Sequence, residues 1–340
     1  MEEKWMKRAI GLAKKAGEGA RPNPRVGAVV VKGGRVVGEG FHRRAGEPHA
    51  EVEALSKAGS RAKGADLFVT LEPCSTHGRT PPCTKAIIEA GVGRVIYGSR
   101  DVDPRNKGKA ERIFQRAGVR ITRGVLEKEC DQINEDYRHW ATKREPWVIL
   151  KLAVTMDGCL VLPGRKWVTG MQARGEVQRL RAGCDAILVG AETVRQDNPR
   201  LTLRKTFRDS AKWRSADEIQ PWRVVVTRSG RLPKGANLFR DRHKERTLVY
   251  RKKKWPVVLR DLHRKGVSRL LVEGGAEVAE GLIQAGKVNE GVIYLAPLFV
   301  GRNVNGLPRV SSWTDWGWRE TLSFRAGQDL CLRGKLGRAK

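Results

Sequence analysis

The chain has no long apolar run, and none of its hydrophobic stretches approaches the ~20 residues a membrane-spanning helix needs. No membrane association is expected. Its first residues, MEEKWMKRAIGLAKKAG, are acidic, then basic and amphipathic, and lack the apolar centre of a secretory leader. A cytoplasmic location is the expectation. Cysteine is scarce: six residues at irregular spacing in 340, unlike the disulfide framework of a small secreted protein. Internal repeats, low-complexity tracts and a G-x-G-x-x-G fingerprint are all missing.

Acidic residues are also few, 37 against 67 Lys and Arg, for a formal charge of +30. Residues 1–150 hold 29 Lys/Arg against 19 Asp/Glu, and the remainder holds 38 against 18. The excess therefore sits mainly in the second half. Such a charge suits nucleic acid or phosphorylated small molecules, or simply a solvated basic surface. The scatter of the basic residues does not decide between them.

At this length two domains of ordinary size are expected, 1–145 and 146–340. In the first, RVGAVVVKGGRVVGEGF reads as a hairpin turning at Gly33–Gly34. HAEVEALSKAG is a helix closed by Gly59, ADLFVTLEP a strand, PCTKAIIEAG a helix opened by proline, and RVIYGS a further strand. The charged RHWATKREPW interrupts this pattern. Beyond it strands and helices alternate again: WVILKLAVT, MQARGEVQRLRAG, DAILVG, WRVVVT, RTLVY, SRLLVEGG, EVAEGLIQAG and EGVIYLAP. Both halves read as α/β layers.

The stretch LEPCSTHGRTPPC poses a question, because Cys74 and Cys83 suit a disulfide, two unrelated thiols or a metal site. The upstream PHAEVEAL supplies His49 and Glu51 at the start of a predicted helix. One imidazole and two thiolates leave a tetrahedral Zn²⁺ one open position for water. The metal lowers that water's pKa from about 15.7 to around 7. Glu51, two residues from a ligand, is placed to relay its proton to a leaving nitrogen. Cys83 opens a helix, whose unpaired amides should favour its thiolate. His-x-Glu followed by Pro-Cys is the signature of zinc nucleobase deaminases, here with a late second cysteine.

With PNPRVGAVVV and GEGFHRRAGEPHAEVEAL, these residues closely resemble the bifunctional deaminase/reductases of riboflavin biosynthesis. The long loop ending in GRTPPC separates that family from the compact tRNA-adenosine and cytidine deaminases. The second half is similar to the family's reductase domain through KLAVTMDG, KWVTGMQAR, ILVGAETVRQDNPRLTLR and VEGGAEVAEGLIQAGKVNEGVIYLAP. The resemblance implies a cytidine-deaminase-like three-layer α/β/α domain followed by a dihydrofolate-reductase-like α/β domain, with Zn²⁺ and NADPH as cofactors. It implies substrate contacts by Asn23, His42, His77 and Arg79 in the first half and by Arg181, Leu201, Arg204 and Glu273 in the second. Toward NADPH it implies Ala153, Trp167, Thr193 and Asp197, with the turn Gly275, Ala276, Glu277, Val278, Ala279, Glu280 and Gly281. The chain departs from the family pattern at Thr76, Cys159, Arg165 and Arg228, and is about two residues short before Trp167.

The implied substrate is a free phosphoribosyl-pyrimidine, deaminated and then reduced at its ribosyl carbon, with no nucleic acid as partner. Two rivals stand beside this reading: a nucleic-acid deaminase, and a deaminase joined to a non-catalytic basic module. A homo-oligomer stays open.

Overall fold

The computed structural model describes residues 2–17, 19–77, 81–203, 220–301 and 316–338. Arg79 and Arg204 lie outside these residues. The chain divides into two compact units, 1–144 and 145–340.

The first unit runs α1 (Glu2–Lys15), β1 (Gly27–Lys32), β2 (Arg35–Phe41), α2 (Ala50–Ala58), β3 (Asp66–Leu71), α3 (Cys83–Glu89), β4 (Arg94–Ser99), α4 (Lys109–Arg116), β5 (Arg120–Arg123), α5 (Glu127–Ile133) and α6 (Glu135–Lys143). Its sheet has the order β2-β1-β3-β4-β5. The strand β1 pairs antiparallel with both neighbours, whereas β3, β4 and β5 run parallel. Alternation along each strand splits the core into two layers. Ala28 and Val30, Leu67 and Val69, and Val95 and Tyr97 face α2, α3 and α4. Val29 and Val31, Phe68 and Ile96 face α1 and α5. The helix α1 sits there because Met6, Ala9, Ile10 and Ala13 recur at helical spacing.

Glycine sets how closely α2 approaches the sheet. A Cβ at Gly40 would lie 2.3 Å from the Ala50 carbonyl oxygen, and one at Gly38 would lie 2.1 Å from that of Ala54. Only a strand without side chains at these two positions lets the helix seat so deeply. That contact fixes the start of α2, where His49 and Glu51 stand.

The second unit runs β6 (Trp147–Thr155), α7 (Met171–Ala182), β7 (Ala186–Gly190), α8 (Ala191–Asp197), β8 (Trp222–Thr227), α9 (Asn237–Arg240), β9 (Thr247–Arg251), α10 (Trp255–Arg264), β10 (Arg269–Val272), α11 (Ala276–Gln284), β11 (Glu290–Ala296), β12 (Trp316–Ala326) and β13 (Asp329–Arg338). The sheet order is β12-β13-β11-β6-β10-β7-β8-β9. The strands from β11 to β9 run parallel, while β13 and β12 close one edge antiparallel. Val148, Leu150, Leu152 and Val154 of β6 pack with α10 and α11. Ile149 points the other way, toward α7, and Lys151 and Ala153 share its face by alternation.

The α/β expectation is met in both units, with an antiparallel addition in the second. The sequence pattern does not mark α5, α6, α8, α9, α10, β12 or β13. Residue types alone make Arg195–Pro199 a polar turn, and the structure corrects this: Arg195 and Asp197 belong to α8, and Asn198 adopts the left-handed cap, φ 41°. The Gly275–Gly281 turn is likewise corrected. The turn is Gly274–Gly275, and residues from Ala276 onward are helical. No described helix is long and apolar enough to cross a membrane.

Candidate active sites

His49 caps α2 with extended backbone, φ −72° and ψ 162°, so its ring leaves the helix toward the cysteines. Its Nδ1 lies 3.2 Å from Cys83 Sγ and 3.6 Å from Cys74 Sγ. With Zn–N near 2.0 Å and Zn–S near 2.3 Å, a tetrahedral site separates N from S by roughly 3.5 Å. The three donor atoms all lie within 4.8 Å of one another. The set therefore fits a zinc ion in size and in donor chemistry. None of the six cysteines is in a disulfide, and neither Cys74 nor Cys83 is bridged.

The thiols divide their charge unevenly. Hydrogen bonding to the Cys83 thiol pulls Cys74 down to about 4, against burial and with help from His49. Cys83 moves up, through its hydrogen bond to Cys74 and through burial. The Cys83 amide donates to Cys74 Sγ at 3.3 Å, so the first N–H of α3 stabilises the other sulfur. His49 is raised, chiefly by its hydrogen bond with Cys74.

Glu51 is 4% exposed. Burial raises its pKa, and His49 partly opposes that rise. A carboxyl held this way exchanges a proton more readily near neutrality than a solvated one. His42 stands beside His49, and Asn23 is hydrogen-bonded to His42. Asn23 Nδ2 lies 3.0 Å from His42 Nε2, and His42 Nδ1 lies 3.2 Å from the Pro48 carbonyl oxygen. In the tautomer these partners select, Nδ1–H donates to Pro48 and Nε2 accepts from Asn23. The His42 and His49 rings meet edge to face, 5.0 Å between centroids. His77 is exposed on the loop.

In the second unit, Arg181 of α7 grips Glu273 at the end of β10 through two bonds, 2.6 and 2.7 Å. Both side chains are largely buried, 14% and 9% exposed. Lys151 interacts electrostatically with both and was missed at the sequence level. A lone lysine inside the apolar WVILKLAV was the available signal. Burial lowers its pKa, with Glu273 opposing and Arg181 adding. Burial also pushes Glu273 up, but Arg181 and Lys151 outweigh it and leave its carboxyl below the ordinary range.

The carboxyl ends of the parallel strands gather the remaining candidates on one edge of this sheet. Ala153 lies near the end of β6, Thr193 is on α8 after β7, and Gly275 is at the start of α11 after β10. Trp167 is half-exposed and stacks under Arg174 at 5.1 Å. Burial raises Asp197, and Lys166 opposes that rise. Within the Gly275–Gly281 stretch, Val278 and Ala279 point into the core. Only their backbone remains for a ligand, whereas Gly275, Ala276 and Glu277 are open at the helix start. Such a start offers unpaired amides to phosphate. Leu201 is buried among Val194, Val225 and Leu238. Cys159, a departure from the family pattern, fills a fully buried seat, its amide donating to Thr155 Oγ1 at 2.9 Å.

Fold and site together define a zinc-type hydrolytic deaminase unit followed by a mixed α/β unit whose buried ionic cluster lies among parallel strands. Comparison with known proteins carries this further. Residues 1–99 match the cytidine and deoxycytidylate deaminase zinc-binding region, and residues 146–332 match the RibD C-terminal domain. Riboflavin biosynthesis protein RibD of Escherichia coli is 37% identical, covering 97% of this chain and 98% of that protein. The Aquifex aeolicus protein of the same name is 36% identical over 90% of this chain and 89% of its own. The solved structure of Acinetobacter baumannii RibD has a TM-score of 0.86 at 32% identity, covering 99% of each chain. The solved diaminohydroxyphosphoribosylaminopyrimidine deaminase/5-amino-6-(5-phosphoribosylamino)uracil reductase of Thermotoga maritima gives a TM-score of 0.81 at 33% identity, covering 100% of this chain and 99% of its own.

The chain belongs to the RibD family of riboflavin biosynthesis, the bifunctional deaminase/reductases. Its first domain is a zinc-binding, cytidine-deaminase-like deaminase. Its second is the NADPH-dependent reductase of dihydrofolate-reductase-like fold. The two rival readings are not favoured.

Proposed function

We propose that this chain removes the C2 amino group of 2,5-diamino-6-(5-phosphoribosylamino)pyrimidin-4(3H)-one and then reduces the resulting 5-amino-6-(5-phosphoribosylamino)uracil to its ribitylamino product. The observation that carries the first step is the convergence of His49, Cys74 and Cys83 beside buried Glu51. In this reading His49, Cys74 and Cys83 hold Zn²⁺, which when bound supplies an acidified water as nucleophile. Glu51 takes the proton of the attacking water and passes it to the departing nitrogen, so that ammonia leaves. Asn23 presents its carboxamide oxygen to the pyrimidine and His42 holds it in place, with His77 and Arg79 contributing from the loop.

For the second step, NADPH supplies the hydride. Ala153, Trp167, Thr193 and Asp197 would line its site, with the backbone and open side chains of Gly275, Ala276, Glu277, Val278, Ala279, Glu280 and Gly281. Arg181, Leu201, Arg204 and Glu273 would meet the substrate. Arg181 is already committed to Glu273 in a bidentate pair, so its part is to hold that carboxylate in place at least as much as to bind phosphate. The substrate is a free small molecule, without nucleic acid, and the setting is cytoplasmic.

The test is selective metal removal from the full chain. Chelation is expected to abolish deamination while leaving reduction of supplied 5-amino-6-(5-phosphoribosylamino)uracil intact, and added Zn²⁺ restores the first step. Loss of both steps together, or of neither, contradicts the assignment of zinc to the first unit alone.

A further inference from the structure

Asn106 lies between β4 and α4 and is 9% exposed. Its Oδ1 accepts from the Ser75 amide at 3.2 Å, from the Ser75 hydroxyl at 3.4 Å and from the Thr76 hydroxyl at 2.9 Å. The carboxamide cannot turn round, because its Nδ2 donates to Asp101 Oδ2 at 3.0 Å. An ionised carboxylate only accepts, so Oδ1 must face the loop. Asp101 is itself buried, 4% exposed. Its Oδ1 accepts from the Tyr137 hydroxyl at 3.0 Å and the Asp103 amide at 2.9 Å. Its amide donates to Glu72 Oε2 at 3.2 Å.

The network thus runs from α6 through the β4–α4 connection to both flanks of Cys74. Glu72 stands on one side of that cysteine, and Ser75 and Thr76 on the other. None of these residues is a member of the metal-donor set. Three hydrogen bonds hold residues 75 and 76 in place before substrate arrives, which is how preorganisation lowers the cost of binding.

We propose that Asn106 is a positioning residue for the deamination step: it fixes residues 75 and 76 beside Cys74 and thereby sets how these two residues meet the pyrimidine. The inference rests on the proposed deaminase activity and deepens it. Asn106 touches no reacting atom, so its removal should weaken substrate binding and leave turnover and zinc in place.

The test compares Asn106→Ala, Thr76→Val and Thr76→Ser in the full chain, with the phosphoribosyl-pyrimidine as substrate. Asn106→Ala is expected to raise the deaminase KM about tenfold, consistent with losing hydrogen bonds at a buried site. Its kcat should stay within about twofold, since no interaction exclusive to the transition state is lost. Zinc content and the reductase step should not change. Thr76→Val should raise KM in the same direction by less, and Thr76→Ser, which keeps the hydroxyl, should restore it. Amide exchange across residues 72–77 should quicken in Asn106→Ala, a readout independent of turnover.

An unchanged KM in both Asn106→Ala and Thr76→Val overturns the proposal. So does a loss of kcat together with zinc in Asn106→Ala, which would mark the residue as support for the metal site. Should Asn106→Ala not fold, a wild-type KM in Thr76→Val overturns it alone. Failure of the unaltered chain to deaminate this substrate would instead remove the proposed function itself.

Discussion

Glu51→Gln is expected to lower the deamination rate by about 10³-fold, the middle of the range for losing a positioned general acid–base group. The substitution keeps the size of the side chain and removes its capacity to carry a proton. Zinc content should be unchanged, because Glu51 is not one of the three donors. Reduction of supplied 5-amino-6-(5-phosphoribosylamino)uracil should also be unchanged, since Glu51 belongs to the first unit. Metal analysis and the two separate rates check all three points. A variant that deaminates within tenfold of the parent would remove Glu51 from the proton path. One that loses zinc as well would show that its effect is structural.

Glu273→Gln is expected to destabilise the second unit by about 3–5 kcal/mol, the usual result of breaking a buried ion pair from one side. The Arg181 guanidinium loses its bidentate acceptor, and Lys151 loses the carboxylate that raises its pKa. The Arg181 charge is then left without its counter-ion where water cannot screen it well, and Lys151 is driven further toward its neutral form. The parent protein should show the matching pH dependence. The Glu273 carboxyl is held below its ordinary value in the fold. Its contribution is therefore present above the unfolded carboxylate pKa and is lost as pH falls through the lower, folded value. Denaturant unfolding near neutral and at acidic pH measures both effects. An unfolding midpoint unmoved by Glu273→Gln at neutral pH would contradict the role given to the cluster. The reductase rate should fall with the same substitution, because Glu273 stands at the end of β10 among the candidate substrate contacts.

Much of the architecture was legible where hydrophobic period and glycine agree. The hairpin at Gly33–Gly34 needed two residues with positive φ, and both glycines have it, 55° and 72°. The helix after His49 ended at Gly59 for the same reason. The deaminase site was legible because metal chemistry demands particular atoms, and His49, Glu51, Cys74 and Cys83 are chemically distinctive. What stayed hidden depends on tertiary packing. The short α8 reads as a turn because Asp197, Asn198 and Pro199 are turn formers; Ala191 and Val194, both buried, decide for helix. The hairpin of β12 and β13 joins a sheet whose other strands lie far upstream, and no local pattern announces that partner. Lys151 and Asn106 were passed over because each looks ordinary alone. Only the fold brings Glu273 to the first and Ser75 and Thr76 to the second.

The most direct measurement is a mass-resolved assay of the full chain with the diamino phosphoribosyl-pyrimidine, run with and without NADPH. Without NADPH, the deaminated, unreduced pyrimidine should accumulate. With NADPH, the ribitylamino product should replace it, with one NADPH consumed per product. Accumulation of the deaminated compound despite NADPH would contradict reductase activity in this chain, and no conversion of the diamino compound would contradict the deaminase assignment.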